Sequence, residues 1–198
     1  MIHDKDRKGH IGASDSHYVV ASHRAKTWNA WWDVKTGKPQ SFEGNRYTKA
    51  GELYEHAILQ AISPDMNLDR QLNYPDLSLR VNYDGDLNGV IYEVKTHKID
   101  KRFEVSRPYW QQAQVEIFAY KLLQEEEHLP EFKRLWIVSY GLYPPEYDYQ
   151  AGVEFDRIRF HEIAYDPDWI DGTYLPKLRE LSEKLKQEVR ELDGQRLD

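Results

Sequence analysis

The chain has no cysteine, no long apolar run and no excess of positive charge, and each absence excludes a class of protein. Without cysteine there is no disulfide bond and no zinc–thiolate site. No apolar stretch approaches the roughly 18 residues that a membrane-spanning helix needs. The segment Met1–Lys5 also lacks the apolar core of a signal peptide. Together these features predict a cytoplasmic protein that does not enter a membrane.

The charge balance is acidic. The 198 residues include 27 Lys and Arg against 34 Asp and Glu, which gives a formal net charge of −7. This disfavours a protein that coats DNA without specificity, because phosphate binding relies on basic side chains. It does not exclude a phosphodiesterase, since carboxylates can gather around a metal ion while the basic side chains line a groove.

The predicted elements alternate between helices and strands. The length suits one domain, and no linker, low-complexity tract or repeat divides residues 1–198. Capping residues and helical or alternating apolar spacing define the elements. Helices are predicted at about 12–24, 27–36, 47–62, 108–126 and 173–193, and strands near 77–83, 90–96, 133–141 and 153–164. This order predicts an α/β (α+β) fold with a mixed central β-sheet flanked by helices.

The most informative segment runs from Asp84 to Thr96 and is predicted to form two strands joined by a turn. Side chains alternate across a strand, so Glu93 and Lys95 share one face. Asp84 or Asp86 on the preceding strand can then lie opposite Glu93. The segment therefore predicts two carboxylates and an ammonium group at one place on the sheet.

These groups are the minimal apparatus of a metal-dependent nuclease. Mg²⁺ prefers oxygen ligands and is usually held by one or two carboxylates together with substrate phosphates. A lysine beside it can act on a water molecule. An acidic residue two positions before a lysine has no meaning by itself, because this chain repeats the spacing at Asp6/Lys8, Asp33/Lys35 and Glu131/Lys133. The apolar run Val90–Tyr92 and the aspartate across the turn distinguish Glu93 and Lys95.

Two predicted helices carry further candidates. In the third helix Glu52 and Glu55 are three apart and lie close to one face, which is typical either of an exposed acidic surface or of a further metal ligand at Glu55. In the fourth helix Gln114 can face the carboxylates and orient water or the lysine. His56 and His97 flank candidate ligands, although surface positions are the commoner outcome for such histidines.

Taken in chain order, four sequence motifs resemble those of the lambda-exonuclease (YqaJ-like) branch of the PD-(D/E)XK nucleases. The similarity extends from about residue 7 to residue 192. No single motif is specific, but all of them occur in the family's order. They are Gly12-Ala13-Ser14, Gly51-x-x-Tyr54-Glu55, Asp84-Gly85 followed by Glu93-Val94-Lys95, and Ala113-Gln114-Val115.

The resemblance implies a restriction-endonuclease-like core and a role for each matched residue. Mg²⁺, or Mn²⁺ in its place, would be bound by Asp84, Glu93 and the backbone carbonyl of Val94. Lys95 would activate or position the attacking water. Glu55 would contact the metal or its waters, and Gln114 would support the site.

The resemblance also implies that the protein binds the 5′-phosphate of DNA. Ser14 matches a family serine that binds this phosphate, and Arg7 lies at the matching distance upstream. Tyr83 stands where the motif's namesake has proline, and Asn82 stands where lambda-type members have a phosphate-binding serine. Asp86 is a reserve candidate for the core aspartate.

The function expected on these grounds is that of a Mg²⁺-dependent deoxyribonuclease, a 5′→3′ exonuclease on duplex DNA with a free end in phage-type recombination. A structure-specific or single-strand endonuclease of the same fold is the alternative enzyme. A noncatalytic DNA-binding relative is the alternative from another class. The resemblance further implies a ring-shaped homotrimer and a single-strand annealing protein as partner.

Overall fold

The structure is a computed structural model that describes residues 7–21, 26–38 and 46–194. A five-stranded sheet forms its centre, and its strands are β1 (Asn67–Tyr74), β2 (Leu79–Leu87), β3 (Val90–Lys98), β4 (Arg134–Leu142) and β5 (Ile158–Ile163). The helices are α1 (Ser16–Val20), α2 (Lys26–Thr36), α3 (Arg46–Ile62), α4 (Arg107–Leu123), α5 (Pro167–Trp169) and α6 (Leu175–Gly194).

The strands follow their chain order across the sheet, from β1 to β5. Neighbours pair antiparallel except for β3 and β4, which are parallel. A parallel pair needs a crossover connection, and α4 supplies it. The mixed sheet with flanking helices confirms the predicted fold class.

The central strands β3 and β4 carry apolar residues on both faces of the sheet, and helices cover both of these faces. Ile91 and Ile137 belong to a core cluster that includes residues of α2, α4 and α6. Val94 and Val138 belong to a second cluster with Tyr54 and other residues of α3. The sheet therefore separates α3 from the other helices, and a side chain at the end of β3 can be approached from either side.

A tight turn sets the register of β2 against β3. Asn88 and Gly89 both have positive φ, at 50° and 85°, which suits the two-residue hairpin turn that matches strand twist. A Cβ atom on Gly89 would lie 2.0 Å from the carbonyl oxygen of Glu131. Glycine is therefore required here for space as well as for its backbone angle.

Three predicted elements differ from the structure, and one strand was not predicted at all. The first helix is two short pieces, a 3₁₀ turn at Ala13–Asp15 followed by α1, and part of the predicted range lies outside the described residues. The strand predicted over 153–164 begins only at Ile158, because a 3₁₀ turn occupies Phe155–Arg157. Strand β1 was not predicted, since Arg70 interrupts the alternating apolar positions Leu68, Leu72 and Tyr74.

The last helix also starts later than predicted, at Leu175, after a π-helical turn at Ile170–Tyr174. Within the described residues, none of the helices has the length and apolar character needed to cross a membrane.

Candidate active site

Strands β2 and β3 bring the predicted carboxylates together. Asp84 Oδ2 accepts a hydrogen bond from the backbone N–H of Val94, at 2.6 Å. Glu93 is the residue before Val94 and is buried at 4% exposure. Asp84 and Glu93 both line one cavity of about 370 Å³. The hairpin therefore places the two acids as the sequence predicted.

Lys95 is held within this group. Its ammonium nitrogen donates to Glu93 Oε1 and lies 5.1 Å from the centre of the Tyr109 ring. Burial by itself lowers the pKa of Lys95, but the charges of Glu93 and Asp84 and the hydrogen bond to Glu93 raise the pKa above its ordinary value. Lys95 is therefore a cation at neutral pH.

Helix α3 contributes a third carboxylate from the other face of the sheet. Glu55 lines the cavity beside Asp84 and Glu93. The neighbouring His56 pairs through Nε2 with Asp69 Oδ2 at 2.9 Å, and its distance to Glu55 Oε1 is 4.0 Å. His56 therefore pairs with Asp69 on β1 and lies at the edge of contact with Glu55.

Helix α4 supplies a glutamine, but it is not the predicted one. Gln114 is buried, and its amide bonds the Ala164 carbonyl and the Asp166 N–H on another element. The expectation that Gln114 faces the carboxylates was wrong. Gln112 occupies that place, with Nε2 donating to Glu93 Oε1 at 2.6 Å and to Glu116 Oε1 at 2.8 Å.

Glu116 is a fourth carboxylate that sequence reasoning missed. It has no exposed surface. The signal that could have found it is a charge at i+4 from Gln112, between the apolar residues Val115 and Ile117 on a helix expected to pack against the sheet. A charged residue at such a place predicts a buried polar contact.

Asp86, the reserve aspartate, has other partners. It is buried and accepts hydrogen bonds from Arg70 at 2.9 Å and from Asn67 at 3.3 Å. These contacts tie β2 to β1, whereas Asp84 is tied to β3. Asp84 is therefore the aspartate that shares the cavity with Glu93.

The cavity has a cationic side as well as an acidic one. Arg7, Ser14 and Asn82, which were predicted to bind phosphate, line it together with the acids. Arg80 and His10 also line it and were not predicted. The pKa of His10 is lowered by burial, and the nearby charges of Arg80 and Lys35 act in the same direction.

Asp15 anchors the segment that carries Ser14. Its carboxylate accepts from Gly12 N at 2.7 Å and from Trp31 Nε1 at 2.8 Å, and it pairs with the buried ammonium of Lys35. A hydrogen-bonded polar network of this kind restricts the movement of the segment that carries it. Helix α2 thus holds Ser14 at the rim of the cavity.

A second cavity of about 440 Å³ lies beside the first and shares Glu55 with it. Val94, Lys95 and Tyr109 line it, as do His97 and Lys98. The acidic cluster therefore lies where two cavities adjoin. His97, which was predicted to flank the candidate metal ligands, lines this second cavity.

The carboxylates raise one another's proton affinity. Burial and the charge of Glu93 raise the pKa of Glu55 to about 7. Burial, Glu93 and Glu55 raise the pKa of Asp84 well above its usual range. The pKa of Glu116 is raised by burial and by Glu93. Four acids with one ammonium leave an excess of negative charge, which a divalent cation would neutralise.

The donor set fits a hard divalent cation. Asp84, Glu93 and Glu55 offer carboxylate oxygens, and Glu93 Oε2 is buried without a hydrogen-bond partner in the described part of the chain. Among the described residues, one trio of acidic or histidine side chains has its ligand atoms within 4.8 Å of one another. It consists of Glu55, His56 and Asp69. Mg²⁺ keeps several water ligands, so not every carboxylate needs to reach it directly.

Folding stability should depend on pH and metal through this cluster. A carboxyl group with a raised pKa binds protons more tightly in the folded state, so its contribution is complete below pH 4.5 and is lost as the pH rises through about 7 for Glu55. Without metal, the free energy of unfolding should fall by roughly 1–3 kcal/mol between pH 5 and pH 8. Thermal unfolding measures this.

The matched variant for this prediction is Glu55→Gln, which should flatten the decline with pH. Mn²⁺ should raise the unfolding temperature at pH 8 and have little effect at pH 5, because it competes with protons for the same oxygens. If the free energy of unfolding of Glu55→Gln falls with pH as steeply as that of the unmodified protein, Glu55 is not the group responsible.

Comparison with known proteins gives matches in structure but not in sequence. No family model and no curated protein matches the chain. An alkaline exonuclease (LHK-Exo) from Laribacter hongkongensis superposes with a TM-score of 0.67 at 15% identity, over 98% of this chain and 96% of that one. The same enzyme in complex with dAMP gives 0.65 at 15%, over 96% and 95%.

A phage-related exonuclease from Haemophilus somnus 129PT is also similar, with a TM-score of 0.60 at 13% identity over 94% of this chain and 96% of that one. At these identities the likeness shows the fold. The chain therefore has the fold of phage-type and alkaline exonucleases over nearly its whole length, as the resemblance in sequence predicted.

Proposed function

We propose that the protein is a divalent-metal-dependent deoxyribonuclease that removes nucleotides from the 5′ end of duplex DNA. One observation carries the proposal: a cavity with Asp84, Glu93 and Glu55 among its lining also exposes Arg7 and Ser14 to the same space. The acids suit a metal ion, and the basic and hydroxyl groups suit a terminal phosphate. The shared fold with exonucleases supports the same conclusion.

Asp84, Glu93 and the Val94 carbonyl would hold Mg²⁺ or Mn²⁺, with Glu55 binding the ion or its water molecules. The hydrogen bond from Val94 N–H to Asp84 keeps these groups adjacent. When bound, the ion makes hydroxide available near neutral pH and neutralises charge on the phosphate.

Lys95 acts as a hydrogen-bond donor in this proposal. Because its pKa is raised, the ammonium group positions the attacking water and balances the charge that develops on the phosphate, rather than removing a proton. The water oxygen forms a bond to phosphorus, and the bond from phosphorus to the 3′-oxygen breaks. A proton from the water ends on that 3′-oxygen, and the shortened strand keeps a new 5′-phosphate.

The basic and polar side chains that line the cavity account for the proposed preference for a 5′-phosphorylated DNA end. Arg7, Ser14 and Asn82 can bind phosphate through a guanidinium, a hydroxyl and an amide N–H. These donors would favour a terminal phosphate, which carries more negative charge than a phosphate within the chain.

We expect a 5′-phosphorylated linear duplex to be degraded in Mg²⁺ or Mn²⁺ and a closed circular duplex to stay intact. A 5′-hydroxyl end should react about 10- to 100-fold more slowly, because hydrogen bonds to one charged group are lost. Gel analysis measures the rates for the two linear duplexes and the circle, and reactions that contain a chelator serve as the blank.

Arg7→Ala should remove most of the difference between the two ends, whereas the exposed Arg179→Ala on α6 should leave it unchanged. Nicking of the circle would indicate an endonuclease instead. If neither metal supports cleavage of any substrate, the proposed function fails.

The homotrimer and the single-strand annealing partner stay predictions from the resemblance. A ring would help an acidic chain to remain on DNA, since enclosure can replace part of the electrostatic attraction. Light scattering of the purified protein measures the oligomeric state directly.

A further inference from the structure

Glu116 has no part in the proposed chemistry, yet it lies fully buried beside it. Its Oε1 accepts a hydrogen bond from Gln112 Nε2, and its Oε2 has no hydrogen-bond partner among the described residues. Burying a carboxyl group is costly unless the surroundings compensate for it. The residues beside it on α4, Val115 and Ile117, are buried and apolar. Packing alone therefore gives no reason for an acid at this position.

The contact made by Glu116 determines which way the amide of Gln112 faces. One nitrogen, Nε2, donates both to Glu93 Oε1 and to Glu116 Oε1. These two bonds use both amide hydrogens. In the reversed orientation, the amide oxygen would face two carboxylate oxygens. Two acceptors thus allow one orientation, whereas Glu93 alone would hold the nitrogen by a single bond.

A consequence follows for the other end of the amide. Gln112 lines the cavity that contains Asp84 and Glu55. With its nitrogen held between two acids, Gln112 can offer only its oxygen to a ligand, and that oxygen can only accept a hydrogen bond. A water molecule that attacks phosphorus carries hydrogens and needs such an acceptor to be oriented.

We propose that Glu116 is a positioning residue: it fixes the amide of Gln112 so that the amide oxygen accepts a hydrogen bond from the attacking water. The inference rests on the proposed nuclease function for its chemistry and on the contacts among Gln112, Glu93 and Glu116 for its geometry. Glu116 itself does not touch the substrate, and its effect passes entirely through Gln112.

The test compares two replacements of Glu116. Glu116→Leu removes the acceptor, and replacing a buried carboxyl group by an apolar side chain of similar volume should not unfold the protein. Its kcat should fall about 10- to 100-fold, the size of one hydrogen bond to a charged group, with KM little changed. Glu116→Gln keeps an oxygen that can accept from Gln112 and should recover most of the loss. Glu116→Met repeats the first measurement if the leucine variant is poorly soluble.

A double-mutant cycle separates positioning from a general structural effect. Adding Glu116→Leu to Gln112→Ala should cost no further activity, because the amide through which Glu116 acts is already gone. Additive losses, or an equal loss in Glu116→Gln, would overturn the inference. If the unmodified protein cleaves DNA and these effects are additive, this inference alone fails.

The contact can also be measured without activity. In an amide ¹⁵N spectrum, the side-chain NH₂ of Gln112 should be shifted and protected from exchange, and Glu116→Leu should move it toward ordinary values. Gln124, whose amide oxygen accepts from Phe132 N on another part of the chain, should not move and serves as the internal control. A Gln112 resonance that is unaffected by Glu116→Leu overturns the proposed positioning even if no cleavage is found.

Discussion

Replacing Glu93 by glutamine is expected to abolish metal-dependent cleavage, with a loss of about 10³-fold or more. The substitution keeps the size of the side chain and removes the charge of a proposed metal ligand, and a bound metal ion would supply several kcal/mol of transition-state stabilisation. Glu93 contacts both Lys95 and Gln112, so the change also disturbs the two side chains proposed to act on water. Initial rates on the 5′-phosphorylated duplex measure the effect.

The fold should survive this change. Glu93 lies among three other acids whose pKa values are raised partly by its charge, so its neutralisation relieves repulsion. The unfolding temperature without metal should therefore be equal or higher, and the increase produced by Mn²⁺ should be lost. Glu126→Gln, at an exposed position after α4, is the matched control. Cleavage within tenfold of the unmodified protein would contradict the site.

Replacing Lys95 by methionine is expected to lower the rate by roughly 10²–10³-fold, the usual effect of removing one donor that stabilises developing charge. Methionine keeps an apolar side chain of similar length and removes the ammonium group, which lies 5.1 Å from the centre of the Tyr109 ring. The proposed metal ligands remain, so Mn²⁺ should still raise the unfolding temperature. This separates the role of Lys95 from that of Glu93.

Lys133→Met provides the matched control, since Lys133 is exposed immediately before β4 and also follows a glutamate by two residues. Its rate should equal that of the unmodified protein. If Lys95→Met loses metal stabilisation together with activity, Lys95 acts by shaping the metal site and not on the water. An unchanged rate would exclude Lys95 from the reaction.

The helix that faces the acids shows why some site residues were predictable and others were not. The spacing on α4 predicted a buried polar side chain near the carboxylates, but glutamine occurs at 111, 112 and 114. Adjacent positions on a helix differ by about 100° in direction, so the choice depends on how the helix is rotated against the sheet. That rotation results from packing of the whole helix, and it favours Gln112.

The two aspartates of β2 illustrate the same limit in a strand. Asp84 and Asp86 are two apart, and regular alternation assigns them to one face. Their different partners come from other strands: Val94 N–H on β3 binds Asp84, and Arg70 on β1 binds Asp86. Strand β1 was not predicted, because its sequence, Asn-Leu-Asp-Arg-Gln-Leu-Asn-Tyr, lacks a continuous apolar face. The contact with Arg70, which distinguishes Asp86 from Asp84, could therefore not be predicted from the sequence.

By itself, the sequence determined the fold class, the hairpin and the face shared by Glu93 and Lys95, because these depend on local spacing and on the apolar periods of strands and helices. Only the tertiary structure decided which aspartate and which glutamine join them, that Glu116 lies among them, and that Arg7 and Ser14 reach the same cavity. Those features depend on contacts between residues far apart in the chain. Short-range patterns restrict such contacts, but the packing of helices against the sheet selects among them.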